Sequence, residues 1–190
     1  MRGRIIVISG PSGSGKTTLH QQLLLDKKIG RYLVKTVSAT TRIKRPGEKN
    51  GKQYLFFNEK QFLQGIKNGY FLEWQKVFTN YYGTPKQQTE KILKSGKNVL
   101  LCIDVKGAKT VFKAFKDVVS IFIKAPSLDI LKKRLENRKT ENKKSIGLRL
   151  RIARREMKEI KRYQHVVVND DVKKAVQRLK KIVNQELKIR

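Results

Sequence analysis

Residues 5–17 read Ile5-Ile6-Val7-Ile8-Ser9-Gly10-Pro11-Ser12-Gly13-Ser14-Gly15-Lys16-Thr17, and this stretch decides the fold. Its first part is a β-branched run suited to a buried strand. Its second part fits G-x-x-x-x-G-K-[ST] at every required position. Glycines at 10, 13 and 15 let backbone N–H groups turn inward around phosphate oxygens with no Cβ in the way. A helix beginning near Lys16 aims its N-terminal dipole and unpaired amides at the same anion. Lys16 then bridges the β- and γ-phosphates of a nucleoside triphosphate, and Thr17, with Thr18 beside it, offers a hydroxyl to Mg²⁺. A chance glycine-rich turn rarely falls at the end of the first strand of an alternating chain.

Outward from this loop, short apolar strands alternate with helical patterns to the end of the chain. Strands are expected at Arg4–Ser9, Asn98–Asp104, Val118–Ile123 and His165–Val168. Helical character follows at Lys16–Leu25 and Ala108–Phe115, then on a face marked by Leu128, Leu131 and Leu135. A last stripe runs through Val172, Ala175, Val176, Leu179, Ile182, Val183 and Leu187. Such alternation predicts an α/β fold, a parallel sheet covered by helices on both faces, with ligands at the carboxyl ends of the strands. Two segments interrupt it. Residues 34–83 are rich in aromatics, glycines and short strands and read as an inserted, mostly β subdomain. Residues 138–150 open with a polar, charged run (Arg138 to Ser145) that suits a lid. The remainder, 1–33, 84–137 and 151–190, forms the core of a single domain.

The 190 residues suffice for one good core, with 38% hydrophobic and 32% charged. No stretch approaches the length of apolar chain that spans a bilayer, and Ile5–Ile8 is too short for a secretory signal. A lone cysteine, Cys102, suits a reducing compartment, so a cytoplasmic protein is expected. The formal charge of +30 is spread evenly: 18 basic against 5 acidic residues up to Ser95, then 27 against 10. A lysine-rich solvated surface explains it most simply. The same charge predicts weak, nonspecific attraction to polyanions, while no nucleic-acid-binding motif stands in the sequence.

The loop names a nucleotide and leaves the acceptor open. The insert carries, in order, Ser38-Ala39-Thr40-Thr41-Arg42, Arg45-Pro46-Gly47-Glu48, Tyr54-Leu55-Phe56, Phe71-Leu72-Glu73-Trp74 and Asn80-Tyr81-Tyr82-Gly83-Thr84. As an ordered set these motifs resemble guanylate kinase, and the resemblance runs from Ile5 through Asn169-Asp170. It implies a phosphoryl transfer from ATP to GMP with Mg²⁺. Ser38, Arg42, Arg45, Tyr54 and Tyr82 supply hydroxyls and guanidinium forks able to surround a 5′-monophosphate. Glu73 can accept from guanine N1–H and N2–H₂, Thr84 (after Gly83) can donate to O6, and Asp104 can take a remaining amino hydrogen. Adenine, with donor and acceptor exchanged, would leave these groups unpaired. Singly, Tyr54, Tyr82 and Arg42 would read as packing or surface charge. The family's order gives them these roles.

The resemblance also places Arg134, Arg138 and Arg149 over the phosphates, with Asn169-Asp170 on the adenine side. Positioned cations stabilise the charge that spreads over the γ-oxygens, and no histidine is required, so His20 and His165 read as ordinary helix and strand residues. The chain departs from the family's pattern at Lys44, Gln53, Cys102, Lys139, Lys143 and Lys144. These changes bear on rate and metal dependence rather than on the base. A catalytically inert binding module of the same family would lack phosphate-loop residues, and here Gly15, Lys16 and Thr17 are all present.

Overall fold

The computed structural model describes residues 2–137 and 143–189. In chain order the elements are β1 (Ile5–Ser9), α1 (Lys16–Leu25), β2 (Leu33–Lys35), β3 (Ala39–Thr40), β4 (Leu55–Phe56), α2 (Glu59–Lys67), β5 (Phe71–Val77), β6 (Asn80–Pro85) and α3 (Lys86–Lys94). They continue with β7 (Asn98–Cys102), α4 (Val105–Ala114), β8 (Val118–Lys124), α5 (Leu128–Glu136), α6 (Lys143–Met157), β9 (His165–Val168) and α7 (Val172–Glu186). Short 3-10 turns precede β2 and follow α6.

Five strands form one parallel sheet in the order β2-β7-β1-β8-β9. The β1 sequence explains its central place. Side chains alternate across a strand, so Ile6 and Ile8 enter one layer with Leu19, Leu23, Ala175, Leu179 and Val183 of α1 and α7. Ile5 and Val7 enter the other, with Leu93, Ala108, Val111 and Tyr163. An apolar run with no polar alternation is what burial on both faces requires. No helix among the described residues is long and apolar enough to cross a membrane.

A second, four-stranded sheet in the order β4-β3-β6-β5 lies within the insert. Its small core of Ala39, Phe62 and Phe71 includes two stacked rings, Phe62 and Phe71, with centroids 4.3 Å apart. Two details differ from the sequence reading. The expected boundary at residue 34 falls inside β2, which pairs with β7 in the parallel sheet. The insert also holds a helix, α2, started by a reciprocal capping box: the Asn58 side chain accepts from Gln61 N–H, and the Gln61 side chain accepts from Asn58 N–H. Of the segment read as a lid, residues 143–150 belong to α6, and 138–142, with Arg138, lie outside the described residues.

Candidate functional site

The site forms at the carboxyl ends of β1, β7 and β8, where the parallel sheet ends facing the insert. Ser9 closes β1, and Gly10, Gly13 and Gly15 follow with φ of 139°, 88° and 92°. Gly15 caps α1 in the left-handed region, and a Cβ there would strike the Asn169 amide. Glycine is therefore required twice over at that point, by conformation and by space. The Asn169 side chain, 2 % exposed, donates to Ser14 O at 2.8 Å, fastening the loop to the end of β9. Asp170 turns away and pairs with Arg178 at 2.7 Å, which holds its carboxyl far below the usual carboxylate range.

Lys16 arches back over its own loop, with Nζ donating to Gly10 O at 2.6 Å and Pro11 O at 2.9 Å. Its charge also acts on Cys102, Asp104 and Glu156. Thr17 and Thr18 are exposed on the first turn of α1. Two arginines converge from α5 and α6. Arg134 Nη2 donates to Asn169 O at 2.9 Å, and its buried Nη1 has no hydrogen-bond partner among the described residues. Arg149 Nη1 donates to the Ser12 hydroxyl at 3.1 Å, and its guanidinium lies 4.5 Å from the Phe78 ring centre. Ala125, Leu131 and Ala153 pack these two helices against each other, which fixes the spacing of the two cations.

Across the cleft, Glu73 on β5 is 5 % exposed and accepts a 2.6 Å hydrogen bond from the Thr84 hydroxyl on the neighbouring strand β6. Its other oxygen presses on the first turn of α4 so closely that a Cβ at Gly107 would meet it. Asp104 caps that helix by accepting from Gly107 N–H at 2.7 Å. Burial, chiefly, raises the Glu73 pKa to about 7, and the nearby Asp104 charge adds to the rise. Burial likewise raises Asp104. The sequence reading had Thr84 donating to the base. Here its hydroxyl proton goes to Glu73, because a buried carboxylate needs a donor.

Of the residues expected at the monophosphate, Tyr54 and Tyr82 lie beside Arg42. Its Nη2 meets both carboxylate oxygens of Glu48, at 2.8 and 3.0 Å, and its guanidinium carbon lies 5.5 Å from the Tyr54 ring centre. Tyr54 and Tyr82 pack edge to face with centroids 6.1 Å apart. Glu48 also accepts from Arg45 N–H, so one acid shapes the whole turn. The Arg45 side chain is exposed, and Ser38 lies half-buried at the start of β3 with its carbonyl bonded to Leu55 N–H. Gln53, one of the departures from the family pattern, accepts from Lys49 N–H and steadies the same loop. Lys44 is exposed beside it.

Two further acids that the motifs do not single out lie at the site. Glu48, three residues after Arg45, closes that turn. Glu156 lies in α6 three residues beyond the buried Ala153, on the inward side of the helix. Burial raises its pKa to about 7 against the opposing pull of Lys16. The histidines stand as expected: His20 is buried in α1, held neutral with a pKa near 4 chiefly by burial, and His165 meets Glu186 at 2.8 Å.

Residues 2–186 match the family model described as guanylate kinase. A guanylate kinase of Rickettsia felis is 42% identical over 97% of this chain and 95% of its own length. One of Wolbachia pipientis is 44% identical over 97% and 90%. Among solved structures, a guanylate kinase from Anaplasma phagocytophilum superposes with a TM-score of 0.79 at 34% identity, covering 97% of this chain and 86% of the other.

Proposed function

Since this chain belongs to the guanylate kinase family and catalyses its reaction, ATP-dependent phosphorylation of GMP to GDP, we propose how its own side chains divide that work. Gly10–Thr17 and Thr18 cradle the ATP phosphates, with Asn169 holding the loop and Asp170 bordering the adenine side. Lys16 exchanges its two loop carbonyls for β- and γ-phosphate oxygens. Arg134 and Arg149, with Arg138 beside them in sequence, stabilise the transferring group. The chemistry needs positioning and charge, with no covalent intermediate on the protein.

GMP lies in the insert. Arg42, Arg45, Ser38, Tyr54 and Tyr82 grip its phosphate, which displaces Glu48 from the Arg42 fork. Glu73, Thr84 and Asp104 read the guanine edge beside Gly83. The reaction depends on a divalent metal, as in the family at large, and we infer Mg²⁺. Among the described residues no group of three acids, histidines or cysteines could hold a metal by itself. The available protein donor is the Thr17 hydroxyl, a hard oxygen. That suits an ion which keeps most of its waters and binds chiefly through substrate phosphates. When bound, the ion neutralises charge on the β- and γ-oxygens. A cytoplasmic setting suits the single half-buried thiol.

The observation that carries the base assignment is the buried Glu73 carboxylate between Thr84 and Asp104. A charge so placed is costly unless a ligand uses it. Glu73→Gln replaces one acceptor oxygen with an NH₂ facing a donor. It should lower kcat/KM for GMP by roughly 10- to 150-fold, the worth of one charged acceptor. The preference for GMP over IMP, which lacks the 2-amino group, should shrink, with KM for ATP nearly unchanged. Equal efficiency of the two proteins on GMP would remove Glu73 from the base site.

A further inference from the structure

The hairpin joining β5 to β6 ends in a two-residue turn, Phe78-Thr79, closed by the pair Val77 and Asn80. Phe78 has φ of 57°, in the left-handed region. The first position of such a turn favours glycine, and a bulky side chain there is strained. Burial offsets this only in part, for Phe78 is 40 % exposed. Local propensity argues against phenylalanine at this position. What the ring does make is a contact with the Arg149 guanidinium, 4.5 Å from its centre. The same guanidinium donates to Ser12 in the phosphate loop.

We propose that Phe78 is a positioning residue for phosphoryl transfer, its ring carrying Arg149 over the phosphate loop. The inference rests on the role given to Arg149 above. A strained residue at a turn tip is retained where surrounding contacts depend on it. The π face attracts the guanidinium without consuming any of its N–H donors. The geometry also gives the insert a means of acting on the phosphate site. Glu73 and Phe78 lie on one hairpin, so the strand that meets the base ends in the ring that meets the arginine.

Three variants and one background test this. Phe78→Leu keeps an apolar side chain in the strained turn and removes the π face. It should lower kcat about 3- to 30-fold, the worth of one cation–π contact, with KM for ATP and GMP nearly unchanged. Phe78→Tyr should restore kcat. Phe78→Gly relieves the backbone strain, so it should keep or raise the melting temperature and still lose kcat, an opposition that a purely structural role does not produce. In an Arg149→Ala background, already slowed by loss of the arginine, Phe78→Leu should cost nothing further. An undiminished kcat in Phe78→Leu, or an equal loss in both backgrounds, overturns the proposal. If Arg149→Ala itself leaves kcat unchanged, the role of Arg149 fails and this inference falls with it. A slowed Arg149→Ala beside a normal Phe78→Leu would sink the inference alone.

Discussion

Glu73 holds a carboxylate whose burial favours the neutral form, and that has consequences at two levels of measurement. With a pKa of about 7 it is largely protonated at pH 6 and ionised at pH 8. In the proposed base-reading role, only the ionised form accepts from both guanine donors. The kcat/KM for GMP should therefore climb about tenfold per unit below pH 7 and level off above it. The GMP phosphate titrates near pH 6 on its own account. In Glu73→Gln the limb near pH 7 should vanish and the phosphate limb remain, which a pH series on both proteins reads directly. Stability runs the other way. The folded pKa lies above the unfolded value of 4.5, so this group's contribution is fully present below pH 4.5 and is lost as pH rises through about 7. At pH 8 Glu73→Gln should thus melt above the parent, while at pH 4 the two should nearly coincide. At this scale the sequence was most legible where chemistry constrains residue type. Lys16, Glu73 and Arg42 each stand in a motif that asks for that residue type. Their partners were hidden, since no motif describes Arg42 meeting Glu48 or Thr84 donating to Glu73.

Among the elements, four of the five strands of the parallel sheet were read with ends shifted by no more than two residues, because a short unbroken apolar run has few alternatives. Helix α1 begins at Lys16 as the phosphate loop demands. What escaped were β2, α2 and α3. β2 has only three residues, too few to show a period, and its place in the sheet comes from pairing with β7. α2 lies inside an aromatic-rich stretch that suggests strands, yet Asn58 followed by Gln61 three positions later was a readable start signal. That cap is open to test. Asn58→Ala leaves N–H groups of the first turn unpaired and should cost about 1 kcal/mol. For a chain of this length the melting temperature should fall by roughly 2–4 °C. The Phe62–Phe71 stack anchors α2 to β5, so loss of the cap should also raise KM for GMP more than KM for ATP. Thermal melts and two substrate titrations check both halves. An unchanged melt would mean that tertiary packing alone holds the helix.

For the whole molecule, the charge of +30 is a property of surface and encounter, not of fold. It predicts weak binding to duplex DNA whose logarithm falls linearly with that of salt, as counterion release requires. Titrations from low to physiological salt should show that slope with no preference among sequences. Tight or sequence-selective binding would point to a dedicated site instead. Topology has a different consequence, in the order of events during synthesis. β1 is made first but sits at the centre of the sheet, with Ile5 beside Val99 on one flank and Val118 on the other. The loop that follows it is fastened by Asn169 from the far end of the chain. A growing chain therefore carries an unpaired, largely apolar strand until β7 has left the ribosome. Long-range pairing of this kind is slow, and it leaves such a segment open to wrong partners. The phosphate loop after it also lacks the Asn169 hydrogen bond until the residues after β9 emerge. Among the described strands β1 waits longest for its full set of neighbours, from its own synthesis until β8 emerges, and until then it depends on being kept apart from other chains.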